Sequence, residues 1–201
     1  MFVCPHRLVF IRHGETAWNA EGRLQGQEDI PLNPRGRDQA QSVGRDLGKW
    51  LRRDGEGPIA RYAFVASPLG RARTTMELAR AAMGLDPNDY ALDPALQELS
   101  FGDWQGLTWP EVKARDPQGA AAREADKWNF TPPGGEGYAQ LAVRIGAWLA
   151  GVRQDTVAVA HGGVARALFN LIGGVPAARA PLMDIWQGRI LIFENGAYRW
   201  L

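Results

Sequence analysis

Leu8-Val9-Phe10-Ile11-Arg12-His13-Gly14-Glu15-Thr16 is the stretch on which the fold turns. A short apolar run ends abruptly at a polar segment containing a glycine, which predicts a buried strand followed by a loop. The same grammar recurs twice. Tyr62 to Ala66 is apolar and ends at Ser67-Pro68 with Arg71 beyond, and Thr156 to Ala160 runs straight into His161-Gly162-Gly163. Between these strands lie apolar stripes at helical spacing: Ala40, Val43, Leu47, Trp50 and Leu51; Ala72, Met76, Ala79 and Met83; Leu141, Ile145, Trp148, Leu149 and Val152; and Val164, Leu168, Leu171 and Ile172. Strands alternating with helices predict an α/β fold whose mainly parallel sheet is covered on both faces. Ligands of such sheets bind beyond the carboxyl ends of the strands, so three polar strand ends predict one site.

The remaining segments are read from their punctuation. Gly22, Gly26, Pro31 and Pro34 make the region from Gly14 to Pro34 a loop, and Asn33-Pro34 opens a helix. Leu92, Leu96 and Leu99 lie in a weakly patterned stretch. The polar region from Thr108 to Gly137 holds Pro110, Pro117, Pro132 and Pro133 and reads as an insertion or lid, not core. Arg189 to Phe193 and Tyr198 to Leu201 flank Asn195-Gly196, a strong hairpin signal. One domain over residues 1–201, with an insertion at about 104–138, is expected.

Composition narrows the classes. At 201 residues, 45% apolar and 22% charged, the chain is ordinary for a globular protein. A net charge of +1 argues against nucleic-acid binding, which calls for a basic stripe. The basic residues are 20 Arg and 3 Lys, a usage permissive for phosphate because the guanidinium fork matches its oxygens. Cys4 is the single cysteine, which rules out an intramolecular disulfide, and its context does not mark it as a catalytic thiol. No run approaches a membrane span, and the apolar segment before Arg12-His13 leaves no room for a signal peptide, so a cytoplasmic location is expected.

His13 is the candidate nucleophile. Transfer of a phosphoryl group to an imidazole nitrogen splits a hard displacement into two easier ones. Charge on the three phosphoryl oxygens calls for surrounding donors. Arg12, Arg71 and His161 are the candidate cations, with Thr16 and Asn19 as neutral donors. Gly14, Gly162 and Gly163 let backbone N–H groups approach closely, and the helix starting near Val164 adds its positive end. A leaving alkoxide needs a proton, for which Glu98 and Glu15 compete; the residues alone do not separate them. His6, His13 and His161 show no metal-ligand spacing, so no metal and no cofactor is expected, and no dinucleotide-binding glycine pattern follows the first strand. Trp18 and Trp104 fall near the expected site, Trp50 and Trp148 on core stripes, and Trp200 is expected to pack. Core, lid and substrate contact stay open for Trp109, Trp128 and Trp186.

Taken together these segments resemble the histidine phosphatase superfamily, the phosphoglycerate mutase-like group. The resemblance rests on Arg12 to Thr16 with Trp18-Asn19, Leu24-Gln25-Gly26, Pro31-Leu32-Asn33 with Gly36, Ser67-Pro68-Leu69 with Arg71-Ala72 and Thr74, Glu98 with Phe101 to Trp104 and Gly106, Pro133 to Glu136, and His161 to Gly163. It implies a three-layer α/β/α sandwich, phosphorylation of His13, Glu98 as proton donor, and a phosphate pocket of Arg12, Arg71 and His161 completed by Thr16, Asn19, Gln25 and the backbone at Gly162. Mutases of this group are usually longer and carry adjacent arginines in the insertion. Here Lys127 to Pro133 holds no such pair, and Glu98 to Gly106 is similar to the phosphatase branch, so hydrolysis of a small soluble phosphate ester is expected. The alternatives are mutase-type transfer or a non-catalytic binding module. Gly137 departs from the pattern, which more often has Ser there, putting a supporting hydrogen bond in doubt.

Overall fold

A computed structural model describes residues 6–53 and 59–201; Cys4 lies outside them. The strands are β1 (Leu8–Arg12), β2 (Ala63–Ala66), β3 (Ala91–Leu92), β4 (Thr156–Ala160), β5 (Ile190–Glu194) and β6 (Ala197–Trp200). The helices are α1 (Ala17–Ala20), α2 (Pro34–Arg53), α3 (Gly70–Met83), α4 (Trp109–Arg115), α5 (Pro117–Ala125), α6 (Tyr138–Gly151) and α7 (Gly162–Leu171). Among the described residues the strands form one sheet in the order β3-β2-β4-β1-β5-β6. β1, β4, β2 and β3 are parallel neighbours, and β5 and β6 add an antiparallel hairpin beside β1.

Strict alternation of side chains builds the layers. Leu8 and Phe10 of β1 and Ala158 and Ala160 of β4 point into a core closed by Leu141, Ile145 and Leu149 of α6 and Leu168 of α7. Val9 and Ile11, with Val157 and Val159, point the other way, into a core closed by Val43 and Leu47 of α2 and Ala72 and Met76 of α3. The fold is thus the expected α/β/α sandwich.

Register decides where the strands deliver their ends. Arg12 of β1 is level with Ala160 of β4, and the His13 N–H continues the ladder to the Ala160 carbonyl at 2.9 Å. Ala66 of β2 is level with Val159, and the Ser67 N–H donates to its carbonyl at 3.0 Å. His13, His161 and Ser67 therefore leave adjacent parallel strands at one edge.

The insertion departs from its expected character. It folds into α4 and α5 and has a small core of its own, with Trp104, Val112 and Ala120 packed by Leu24, Leu107, Trp109 and Phe130. Thr108 and Glu111 form a capping box on α4, and Asp116 caps α5 ahead of Pro117. Pro110 and Pro117, two of the four prolines of this region, are helix starts here. The segment is also braced to the first loop, since Leu24 and Leu107 share a hydrogen bond of 2.9 Å and Leu24 accepts from Gly106 at 2.8 Å.

Candidate active site

The loop after β1 is held from three directions. His13 Nδ1 lies 2.8 Å from the Gly14 carbonyl. A carbonyl only accepts, so the Nδ1 carries the proton and Nε2 presents its lone pair. The Gly14 N–H donates to Thr75 Oγ1 at 3.0 Å, and that hydroxyl donates to the Arg71 carbonyl at 2.7 Å. Gly14 was expected to bring an N–H to the ligand; instead its N–H is used here. Its missing side chain serves packing, because a Cβ would fall 2.2 Å from the Gly36 carbonyl in α2.

Glu15 belongs to the same scaffold. Its carboxylate accepts from Asn33 Nδ2 at 2.9 Å and pairs with Arg35 at 3.3 Å, while its N–H donates to Gln39 Oε1 at 2.9 Å. All three partners lie on α2 or its entry, so Glu15 fixes the loop to the helix. Glu98 is placed differently. Both its oxygens lie 3.0 Å from the N–H of Gly163, in the first turn of α7, and Oε1 also accepts the Leu99 N–H at 3.0 Å. A Cβ on Gly163 would fall 2.3 Å from Glu98 Oε1, so the glycine is what admits the carboxylate. Gly162 keeps its open face toward the arginines.

The cations and histidines meet where the sequence reading placed them. The rings of His13 and His161 are 5.1 Å apart between centroids. His161 is fully buried, with Nε2 at 2.8 Å from Ser67 Oγ and Nδ1 without a partner. Arg71, 1% exposed, donates to the Gly26 carbonyl at 2.6 Å and to the Glu28 carbonyl, while its Nε stays unbonded. Arg12 donates to the Ile185 carbonyl at 2.8 Å, and its buried Nε has no partner either. Buried orphan donors are rare in proteins. Here the Arg12 and Arg71 Nε groups are both left without a partner, two buried donors in the cluster that holds the two histidines.

Electrostatics agree. Burial, then Arg71 and Arg12, holds His13 well below the usual 6.5. Burial, followed by Arg71, His13 and Arg12, does the same to His161. Burial and the neighbouring Arg166 lower Arg12 to about 10, and burial lowers Arg71 against the opposing pull of Glu98 and Asp29. Both arginines thus remain cations and both histidines neutral at neutral pH.

The lesser expectations are sorted by their contacts. Thr16 caps α1 and shares hydrogen bonds with Asn19, whose Oδ1 accepts from the Thr16 N–H at 3.2 Å and from Gln187 Nε2 at 3.0 Å. Those bonds fix the Asn19 amide oxygen beside the His13 loop. Gln25 is buried with an unbonded Oε1. Trp104 is not at the site: it lies in the insertion's core with its indole N–H on Asp116 at 3.2 Å. Trp109 and Phe130 pack against it, and Trp128 stacks on Tyr138, while Trp186 is 46% exposed beside Trp200.

Several contributors were not found from the sequence. Gln187, just before β5, also donates to the His13 carbonyl at 3.1 Å. Thr75 and Gln39 steady the loop. Arg144 of α6 grips Glu136 and the carbonyls beside Glu98. Each acts across long sequence separation and none sits in a motif; only Thr75, beside the quoted Thr74, was within sight. Among the described residues no three His, Cys, Asp or Glu side chains converge as a metal would require.

The sequence model of the histidine phosphatase superfamily, branch 1, matches residues 8–201. A glucosyl-3-phosphoglycerate phosphatase of Mycolicibacterium vanbaalenii is 35% identical, over 88% of this chain and 78% of that protein. A 2,3-bisphosphoglycerate-dependent phosphoglycerate mutase of Methylobacterium radiotolerans is 33% identical, over 94% of this chain and 90% of that protein. Among solved structures, a mycobacterial glucosyl-3-phosphoglycerate phosphatase complexed with VO3 superposes with a TM-score of 0.78 at 32% identity, covering 98% of this chain and 96% of that one.

Proposed function

From the premise that this chain belongs to the histidine phosphatase superfamily, we propose that it hydrolyses a small phosphate monoester through a phosphohistidine at His13. The observation that carries the reading is the His13 ring, fixed through Nδ1 on Gly14, with an unbonded Nε2 beside Arg71, Arg12 and His161. Nε2 attacks phosphorus as the ester P–O bond breaks. Arg12, Arg71, Asn19 and the N-terminal turn of α7 stabilise charge on the phosphoryl oxygens. Glu98 supplies the proton to the departing alkoxide, then takes one from the water that attacks phospho-His13, so inorganic phosphate leaves and the neutral imidazole returns. Glu15, anchored to α2, takes no part.

Residues about 104–138 form a braced wall beside this pocket in the same reading, not a loose flap. Phosphatase-named relatives and the absence of adjacent arginines in Lys127 to Pro133 favour water as the acceptor.

Rapid-quench labelling with a phosphate-labelled ester tests the mechanism. The expected result is an acid-labile phosphoenzyme lost in His13→Ala, with inorganic phosphate appearing at the rate of turnover. Label that persists until a bisphosphate or second alcohol is added would establish the mutase instead. Equal turnover by His13→Ala and wild type would remove His13 from the chemistry.

A further inference from the structure

Ser67 is fully buried, and so is His161, the ring that its hydroxyl meets. β2 and β4 bring the two together. Ala66 is level with Val159, so Ser67 and His161 leave adjacent parallel strands, with the Ser67 N–H on the Val159 carbonyl at 3.0 Å. α3 begins three residues on, at Gly70, which leaves Ser67 fixed between a ladder and a helix start. Its Oγ has two contacts. The Leu69 N–H donates to it at 3.4 Å, and His161 Nε2 lies 2.8 Å away.

Counting donors and acceptors decides where the protons lie. The Ser67 O–H is shut away from water, and among the described residues the one acceptor it meets is His161 Nε2. Leaving a buried donor unpaired costs more than an ordinary hydrogen bond gains. The hydroxyl therefore donates to the Nε2 lone pair, and a neutral ring then carries its proton on Nδ1. The reverse arrangement, with Nε2–H on Oγ, would strand the hydroxyl proton and leave a bare lone pair on Nδ1. That Nδ1 is buried without a protein partner, on a ring 5.1 Å from the ring of His13. Charge agrees: burial disfavours the protonated ring, and Arg71, His13, Arg12 and Arg144 oppose a further positive charge there. We propose that Ser67 is a positioning residue, which holds His161 as its Nδ1–H tautomer so that the ring serves as a neutral hydrogen-bond donor to the transferring phosphoryl group. The inference rests on the phosphatase reading. The sequence reading counted His161 among the cations; on this assignment Arg12 and Arg71 carry the charge and His161 supplies direction. Both histidines bear their proton on Nδ1, but for opposite reasons. A carbonyl accepts it in His13, whereas in His161 a hydroxyl occupies the other nitrogen. The first ring keeps a lone pair for attack, and the second a proton for binding.

Nitrogen NMR of the substrate-free protein, labelled in its histidine rings, reads the tautomer directly. His161 is identified by the signals lost in His161→Asn. At about pH 7 the wild type should show a protonated Nδ1 and an unprotonated Nε2 at His161. An Nε2–H ring or a doubly protonated one overturns the inference, with no variant having to fold. Ser67→Ala should release the ring toward Nε2–H, and Ser67→Thr, which keeps the hydroxyl, should restore Nδ1–H. In Ser67→Ala kcat should fall by about ten- to hundredfold, with KM changed much less. Alkyl phosphates and p-nitrophenyl phosphate should lose alike, because the leaving group is not involved. Once His161 is Asn, adding Ser67→Ala should cost little more, and a full additional loss would show that Ser67 does not act through the ring. Unchanged kcat in Ser67→Ala overturns the donor role and leaves the phosphatase reading standing. A wild type that hydrolyses neither ester sinks the phosphatase reading and the donor role with it.

Discussion

His13 donates its Nδ1 proton to the carbonyl oxygen of Gly14, its own chain neighbour, at 2.8 Å. In the proposed mechanism that bond readies the nucleophile before substrate arrives, since a neutral imidazole with its proton on Nδ1 attacks through Nε2. The surroundings of the ring, against the opposing pull of that bond, tie its charge to stability. Burial and Arg71 hold His13 well below 6.5, and burial holds His161 there too, while an unfolded chain would titrate near 6.5. Below 6.5 the unfolded chain binds protons that the folded protein refuses, so stability rises with pH in this window and is lost as pH falls through it. Each histidine contributes up to about 1.4 kcal/mol per pH unit there. Urea denaturation at about pH 7 and about pH 5.5, without phosphate, should show this loss, with a shallower dependence in His13→Gln. Identical pH dependence in wild type and variant would contradict it.

Glu98 sits on the first turn of α7, and the proposed chemistry needs it only when the leaving group is basic. Glu98→Gln keeps an oxygen for the Gly163 and Leu99 N–H groups but has no proton to give. Hydrolysis of alkyl phosphates should fall by about 10²- to 10⁴-fold, and that of p-nitrophenyl phosphate by far less, because nitrophenolate leaves unaided. Equal losses on both esters would take the acid role away from Glu98.

The residues that were legible in advance share one property: each sits at the end of a strand or inside a local pattern. His13 and His161 follow apolar runs, and parallel register then delivers them together, which is why two distant motifs predicted one site. Glu15 and Glu98 were not separable by chemistry, because the difference is one of partners: α2 for the first, Gly163 for the second. The helices of the insertion were missed although Thr108-x-x-Glu111 and Asp116-Pro117 are start signals, since four prolines in a polar stretch suggested interruption. Gln187 and Arg144 were invisible for another reason. Their roles depend on tertiary approach alone, with no period or motif to betray them.

Gly137 illustrates how a departure from a motif is absorbed. Its N–H at the start of α6 is taken by Gln140 Oε1 at 2.8 Å, so the helix end is capped without a serine. A Cβ at this position would fall 2.6 Å from the Phe130 carbonyl and 3.0 Å from Thr131 Oγ1. Gly137→Ser is therefore expected to destabilise the protein by about 1–3 kcal/mol through overpacking, read as a lowered melting temperature. A melting temperature at or above wild type would show that the 130–131 backbone yields easily.

Arg144 and Glu136 supply the last prediction. The pair is bidentate, with Nε on Oε1 at 3.2 Å and Nη2 on Oε2 at 2.6 Å, and both side chains are about three-quarters buried, at 25% and 21% exposed. Arg144 Nη1 donates to the carbonyls of Ala95 and Gln97, the latter at 3.0 Å, and the Glu136 N–H donates to the Ser100 carbonyl at 2.8 Å. Glu98 is thus strung between anchored residues on both sides, and in the proposed mechanism the pair acts by positioning it. Glu136→Gln retains the shape but removes the charge that holds the guanidinium. A stability loss of about 1–3 kcal/mol is expected for a charge-assisted bond of this burial. A purely structural lesion would slow every ester alike. Loss of positioning should instead slow alkyl phosphates more than p-nitrophenyl phosphate, a weaker copy of Glu98→Gln, with KM little changed. Once Glu98 is already Gln, adding Glu136→Gln should slow alkyl esters little further, because residues acting as one unit are non-additive. Fully additive losses in the double variant would separate the clamp from the acid.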